Sequence, residues 1–208
     1  PAPEEEWLPT VRFLSGRPSM EAEIEAFRGQ ALGLPVTQDV AAKAAELTKG
    51  CADREAKVRA IFKFVVSEIK AGQNRVPSHT LVEKEGQADN LFMALLRAAE
   101  IPFGVAFARV PRPMWQEYDP ELGLPPYGTP IFLVHLDKSD VWLWPNRWNS
   151  WGALPNNLYG GDAMVVEGRN VSFRDLPSTS LEDKVISVRL HAKVDENAMS
   201  DVGGALVF

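Results

Sequence analysis

The chain has 208 residues, 45% of them hydrophobic and 24% charged, with a formal net charge of −6. That is enough apolar material for one full core plus a flanking piece, and the acidic balance leaves no basic face for nucleic acid or an anionic membrane surface. Its longest apolar runs, such as Ile131 to Leu136, fall far short of the roughly 20 residues that span a bilayer, so no membrane insertion is expected.

In chain order, Thr37 is placed to N-cap an alanine-rich helix through Leu47, with Gly50 in the usual C-terminal position. A second helix is predicted from about Asp53 to Lys70, because Val58, Ile61, Phe62, Val65 and Ile69 recur at three- and four-residue spacing. A third begins at about Ala88, carries Leu91, Phe92, Leu95, Leu96 and Ala99 on its apolar face, and ends at Ile101-Pro102. After Pro102 the pattern becomes strand-like over Phe103 to Val110, Ile131 to Leu136, Val141 to Trp144 and Ala163 to Val166. Residues 111–130 hold six prolines and read as a long irregular loop of the kind that often borders a functional groove. Clean alternation over Val185 to Val194, beyond a Leu176-to-Ser180 linker, predicts the first strand of a separate β-domain. No internal repeat or low-complexity tract is visible.

One stretch carries a resemblance. Gly86-Gln87-Ala88-Asp89-Asn90, followed by Leu95-Leu96-Arg97-Ala98-Ala99-Glu100-Ile101-Pro102, is similar to the transglutaminase-like signature Gly-x-Cys-x-Asp and then Ala-Leu-Leu-Arg-Ala-x-Gly-Ile-Pro. Further similarity extends over roughly residues 37–177, including the helix from Lys57 to Ile69, Gly152-Ala153-Leu154-Pro155 and Gly160 to Val165. The resemblance implies an α+β, papain-like core of helices packed on an antiparallel sheet. It also implies three parts: residues 1–33 flanking from a preceding domain, 34–177 as the core, and 178–208 as a linker and the first strands of a β-domain. The start at Pro1 and the stop after an apolar run at Phe208 add the expectation of a piece of a longer protein. By resemblance alone, such a parent is bacterial and belongs to the cell envelope or is secreted.

The resemblance also locates a triad and shows it broken. Ala88 occupies the cysteine position; without gaps, the family histidine falls on Thr129 and the aspartate on Trp144. His135 is the rival for the histidine, with Asp137 close by in sequence, but its nine-residue gap to Trp144 is shorter than the family's, whereas the fifteen from Thr129 fits. Acyl transfer to such a site needs a thiolate activated by an imidazole and by the positive end of a helix, and alanine supplies no nucleophile. Losses this far apart in sequence point to a natural pseudoenzyme, with no catalytic residue and no cofactor.

The remaining candidates have plainer readings. Cys51, alone in the chain, excludes an intramolecular disulfide and reads as a small buried residue. His79 reads as a loop residue and His191 as solvated on a strand's polar face; no pair among His79, His135 and His191 has metal-ligand spacing. Asp137 and Asp140 around Lys138-Ser139 read as a hairpin turn, and Arg147 as a surface charge. Trp142, Trp144, Trp148 and Trp151, with Tyr159, form a dense aromatic stretch that core packing mostly explains, although the tryptophans are also candidates for ligand binding. Two functions follow. One is a structural or protein-interaction module whose partners are the flanking domains of its own chain; the other is a peptide or saccharide binding module using the vestigial cleft. An active cysteine transglutaminase or protease is the disfavoured third.

Overall fold

The computed structural model describes residues 35–109, 129–178, 187–194 and 200–207, with two isolated helical positions, Glu25 and Gly29. By internal contact the chain divides at Leu176/Pro177 into two units. Expectations for residues 1–33, apart from the two helical positions, for most of the proline-rich stretch 111–130 and for the linker beyond Ser178 lie outside the described residues; Thr129 and Pro130, read above as loop, open a strand instead.

Among the described residues four helices lead the first unit: α1 (Gln38–Thr48), α2 (Arg54–Glu68), α3 (Pro77–Glu83) and α4 (Ala88–Ala98). Thr37 stands at the N-cap of α1 but makes no capping hydrogen bond through its side chain. Asp53 does cap α2, its carboxylate accepting from the Ala56 N–H at 2.7 Å. Helix α3 was not expected, since its Pro-Ser-His-Thr start reads as loop. Proline suits it because the first-turn N–H needs no helical partner.

A five-stranded antiparallel sheet is built from β3 (Phe103–Arg109), β4 (Thr129–His135), β5 (Asp140–Leu143), β6 (Asp162–Glu167) and β7 (Asn170–Asp175), in the order β5-β4-β3-β6-β7. Its registers are set by pairs such as Val105↔Phe132, Val105↔Val166 and Phe132↔Leu143. Two more segments, β1 (Lys70–Ala71) and β2 (Glu85–Gly86), form a short parallel pair beside the helices.

The sheet is buried on both faces, so its strands read as continuous apolar runs rather than alternating ones. Val105, Phe107, Phe132, Val134, Leu143, Met164 and Val166 face the helices and pack with Leu91, Phe92, Leu95 and Leu96 of α4 and with Val58, Ile61, Phe62 and Val65 of α2. The edge-to-face pairs Phe62–Phe92 and Phe92–Phe132, with centroids 6.1 and 5.1 Å apart, join the two layers. On the opposite face Ala106, Ala108, Ile131, Leu133, Ala163 and Val165 pack under Leu154, Leu158 and Leu176.

The second unit is described as one antiparallel hairpin, β8 (Ser187–Val194) with β9 (Ser200–Val207), paired from Ser187↔Val207 to Val194↔Ser200. Among the described residues no helix is long and apolar enough to cross a membrane.

Candidate functional site

Helix α4 begins where the β1–β2 pair holds it. Lys70 N–H donates to Lys84 O and Gly72 N–H to Gly86 O, and the next donor, Gln87 N–H, reaches Asn74 O at 2.8 Å. Gly86 is required there. It has a φ of +154°, and an added Cβ would collide with the Thr80 hydroxyl and lie 2.9 Å from Asn74 O. Thr80 is itself fully buried. The start of α4 is thus fixed in space whether or not a nucleophile stands on it.

A cleft of about 240 Å³ opens at this point, lined by Gly86, Gln87, Ala88 and Asp89 from the start of α4, by Ile69, Ala71 and Gly72, by Pro130 at the start of β4, and by Trp144 to Arg147 just past β5. Ala88 and Trp144 therefore share one wall system, and Thr129, paired in register with Ala108, is the residue before Pro130. The three positions that the sequence resemblance assigns to a triad come from separate parts of the sequence; Ala88 and Trp144 line the cleft, and Thr129 precedes its Pro130. Among the described residues lining the cleft, the titratable ones are Asp89 and Arg147.

His135 lies elsewhere. It ends β4 while Thr129 begins it, which separates them by about 20 Å of extended chain. Its imidazole is hydrogen-bonded on both nitrogens, to Asp140 and to Glu167. Asp137, its sequence neighbour, instead receives Arg54, through the backbone N–H at 3.2 Å and the guanidinium at 3.3 Å. Cys51 is half-buried, with its thiol 3.8 Å from Leu47 O in the turn after α1. His79 is exposed on α3, and the side chain of His191 lies outside the described set. Among the described residues no group of three or more His, Cys, Asp or Glu is placed to hold a metal ion.

The four tryptophans do not form one surface. Trp142 and Trp144 are half-buried on the outer face of the sheet, where alternation along β5 directs them. Trp151 packs toward the helices, edge-on to Phe62 at 5.7 Å with the Arg59 guanidinium 4.2 Å over its ring. Trp148 is 75% exposed at a φ of +66°, an uncommon conformation for a bulky residue. Of the four, Trp144 alone lines the cleft. The missed elements at this site are α3 and the β1–β2 pair. Each strand of that pair has two residues, too few for any period to show.

No protein-family model matches the chain, and no curated protein matches it. Two solved structures do. One, from Parabacteroides distasonis and described as a "putative protease", is 16% identical with a TM-score of 0.57; the match covers 77% of this chain and 32% of that one. The other, from Cytophaga hutchinsonii and described as a "putative cysteine protease", is 15% identical with a TM-score of 0.40, covering 82% of this chain and 51% of that one. The chain thus spans about a third of the first protein's length and about half of the second's. At these identities the likeness concerns fold. With helices packed on one face of an antiparallel sheet and α4 opening beside β4 and β5, the chain has the α+β, papain-like core that its sequence resembles.

Proposed function

We propose that this domain is a non-catalytic member of the transglutaminase-like group, serving as a structural or protein-interaction module within a larger bacterial protein. The observation that carries the reading is Ala88, a methyl group at the start of α4, facing a cleft whose other wall is Trp144. A cysteine-based acyl transfer needs a thiolate, an imidazole to take and return its proton, and a third group to orient that imidazole. Ala88 cannot supply the first, and His135, bound to two carboxylates at the far end of β4, is badly placed to be the second.

The size of the cleft bears on the choice between scaffold and ligand-binding module. At about 240 Å³ it is smaller than the roughly 300–1,000 Å³ typical of pockets that enclose a small ligand. Dispersal of the four tryptophans over three environments also weakens the case for an aromatic saccharide platform.

The test is to monitor amine incorporation into a glutamine substrate and hydrolysis of an unstructured peptide with the purified chain. No turnover above background is expected. Turnover abolished by Cys51→Ser would overturn the proposal, because it would identify a relocated nucleophile.

A further inference from the structure

At the end of the sheet away from the cleft, three strands place ionisable side chains in one row on the outer face. Asp140 and His135 are a directly opposed pair on β5 and β4. Glu167 ends β6, beyond β3. Its reach across β3 depends on Gly104: a Cβ there would lie 2.9 Å from Glu167 Cγ and 2.6 Å from Val165 Cγ1. With no side chain in the way, the carboxylate crosses to the imidazole. Nδ1 of His135 is 2.8 Å from Asp140 Oδ1, and Nε2 is 2.8 Å from Glu167 Oε1.

Both partners are carboxylates and accept only. A neutral imidazole has one N–H, so it can donate to one of them and must turn a lone pair toward the other; an imidazolium donates to both. We propose that His135, Asp140 and Glu167 form a proton-dependent clasp, which ties the β4–β5 hairpin to β6 when the ring is charged and loosens it when the ring is neutral. The elements around the ring carry other charges as well. Arg54 of α2 donates to the His135 carbonyl at 3.3 Å but is paired with Asp137. Lys138 sits in the hairpin turn and Arg169 in the β6–β7 turn. A metal ion is a poor substitute, because the two carboxylates lie on opposite nitrogens of the ring and cannot converge on one ion with it.

Burial by itself would lower the imidazole pKa, but the hydrogen bonds to Asp140 and Glu167, with their charges, outweigh it and hold it above the ordinary value of about 6.5. The sign of the linkage follows. A folded-state pKa above the unfolded one gives stability that is fully present below about pH 6.5 and is lost as pH rises through the folded value.

The experiment is an NMR pH titration of the histidine ring protons in the full chain, with His135 assigned by their loss in His135→Gln. His135 is expected to titrate above about 6.5 in the wild type and lower in Asp140→Asn, in Glu167→Gln and in Gly104→Ala, which pushes Glu167 aside. Between about pH 6 and about pH 8 the wild-type melting temperature and the protection factor of the Leu136 amide, which closes the hairpin on Ser139 O at 2.9 Å, should both fall more than in His135→Gln. A wild-type His135 titrating at or below about 6.5, or one unmoved in both amide variants, would overturn the clasp; so would equal pH dependence in wild type and His135→Gln. Should His135→Gln fail to fold, the partly exposed carboxylate variants still decide the matter, since they keep the imidazole.

Discussion

The two ends of the central sheet invert what their chemistry suggests. At the cleft end, where the sequence resemblance puts the positions of nucleophile, base and orienting acid, the walls include Ala88, Pro130 and Trp144. At the other end stands a histidine between two carboxylates, the composition of a catalytic relay, with no nucleophile among its hydrogen-bond partners and with both ring nitrogens committed to neighbouring strands. Residue types therefore say little about activity until the fold assigns them a place. On the reading proposed here, the cleft end is the backbone frame of an active site without its side chains, and the clasp end has such side chains away from that frame.

That contrast can be broken first at the frame. Gly86→Ala forces a side chain into the Thr80 hydroxyl at a positive φ, and should cost about 3 kcal/mol in a denaturant unfolding series, or prevent folding. A near-neutral result would mean the α4 start is loosely held. Next in size is Trp144→Asp, which removes a half-buried aromatic surface from the outer cluster and sets a carboxylate in a cleft with no histidine among its described lining residues. Thermal melts at neutral pH should show a loss of about 2 kcal/mol, less than the 3–5 kcal/mol of a fully buried tryptophan. Wild-type stability in that variant would move Trp144 from filler to candidate binding surface. The last two variants separate Trp151 from Trp148. Trp151→Ala should cost about 2 kcal/mol, because it loses both the Phe62 edge contact and the Arg59 stack, whereas Trp148→Ala should stay within about 0.5 kcal/mol, its ring being mostly solvated beneath Arg147.

Much of this architecture is legible in the sequence. The apolar spacing of α2 and α4 and the strand-sized runs from Phe103 to Val166 sit where the period predicts them, because each buries a stripe or a face in one core. Strand β7 is not legible. It pairs with β6 around Gly168, which has a φ of +58°, but it ends the sheet among the described strands and Phe173 is 52% exposed, so its apolar signal is weak. The meeting of Ala88 with Trp144 follows from motif likeness rather than from any periodicity, since 56 positions separate two residues that share a cleft. The clasp could not be read at all. His135 and Asp140 are near in sequence, but Glu167 joins them only through the register of β3 with β6 and the missing side chain of Gly104.

The central claim, that the cleft holds the frame of an active site without its acid–base machinery, is tested most directly by putting the nucleophile back. In Ala88→Cys the new thiol stands at a helix N-terminus, where its pKa can fall below about 8.5, yet no described histidine faces it to accept and return a proton. Acyl-enzyme formation and amine incorporation, followed at neutral pH by mass spectrometry and a turnover assay, should remain at least about 10³-fold below an intact triad. Turnover near that of an intact enzyme, lost again when His135 or His79 is replaced, would contradict the account by showing that an imidazole reaches the cleft.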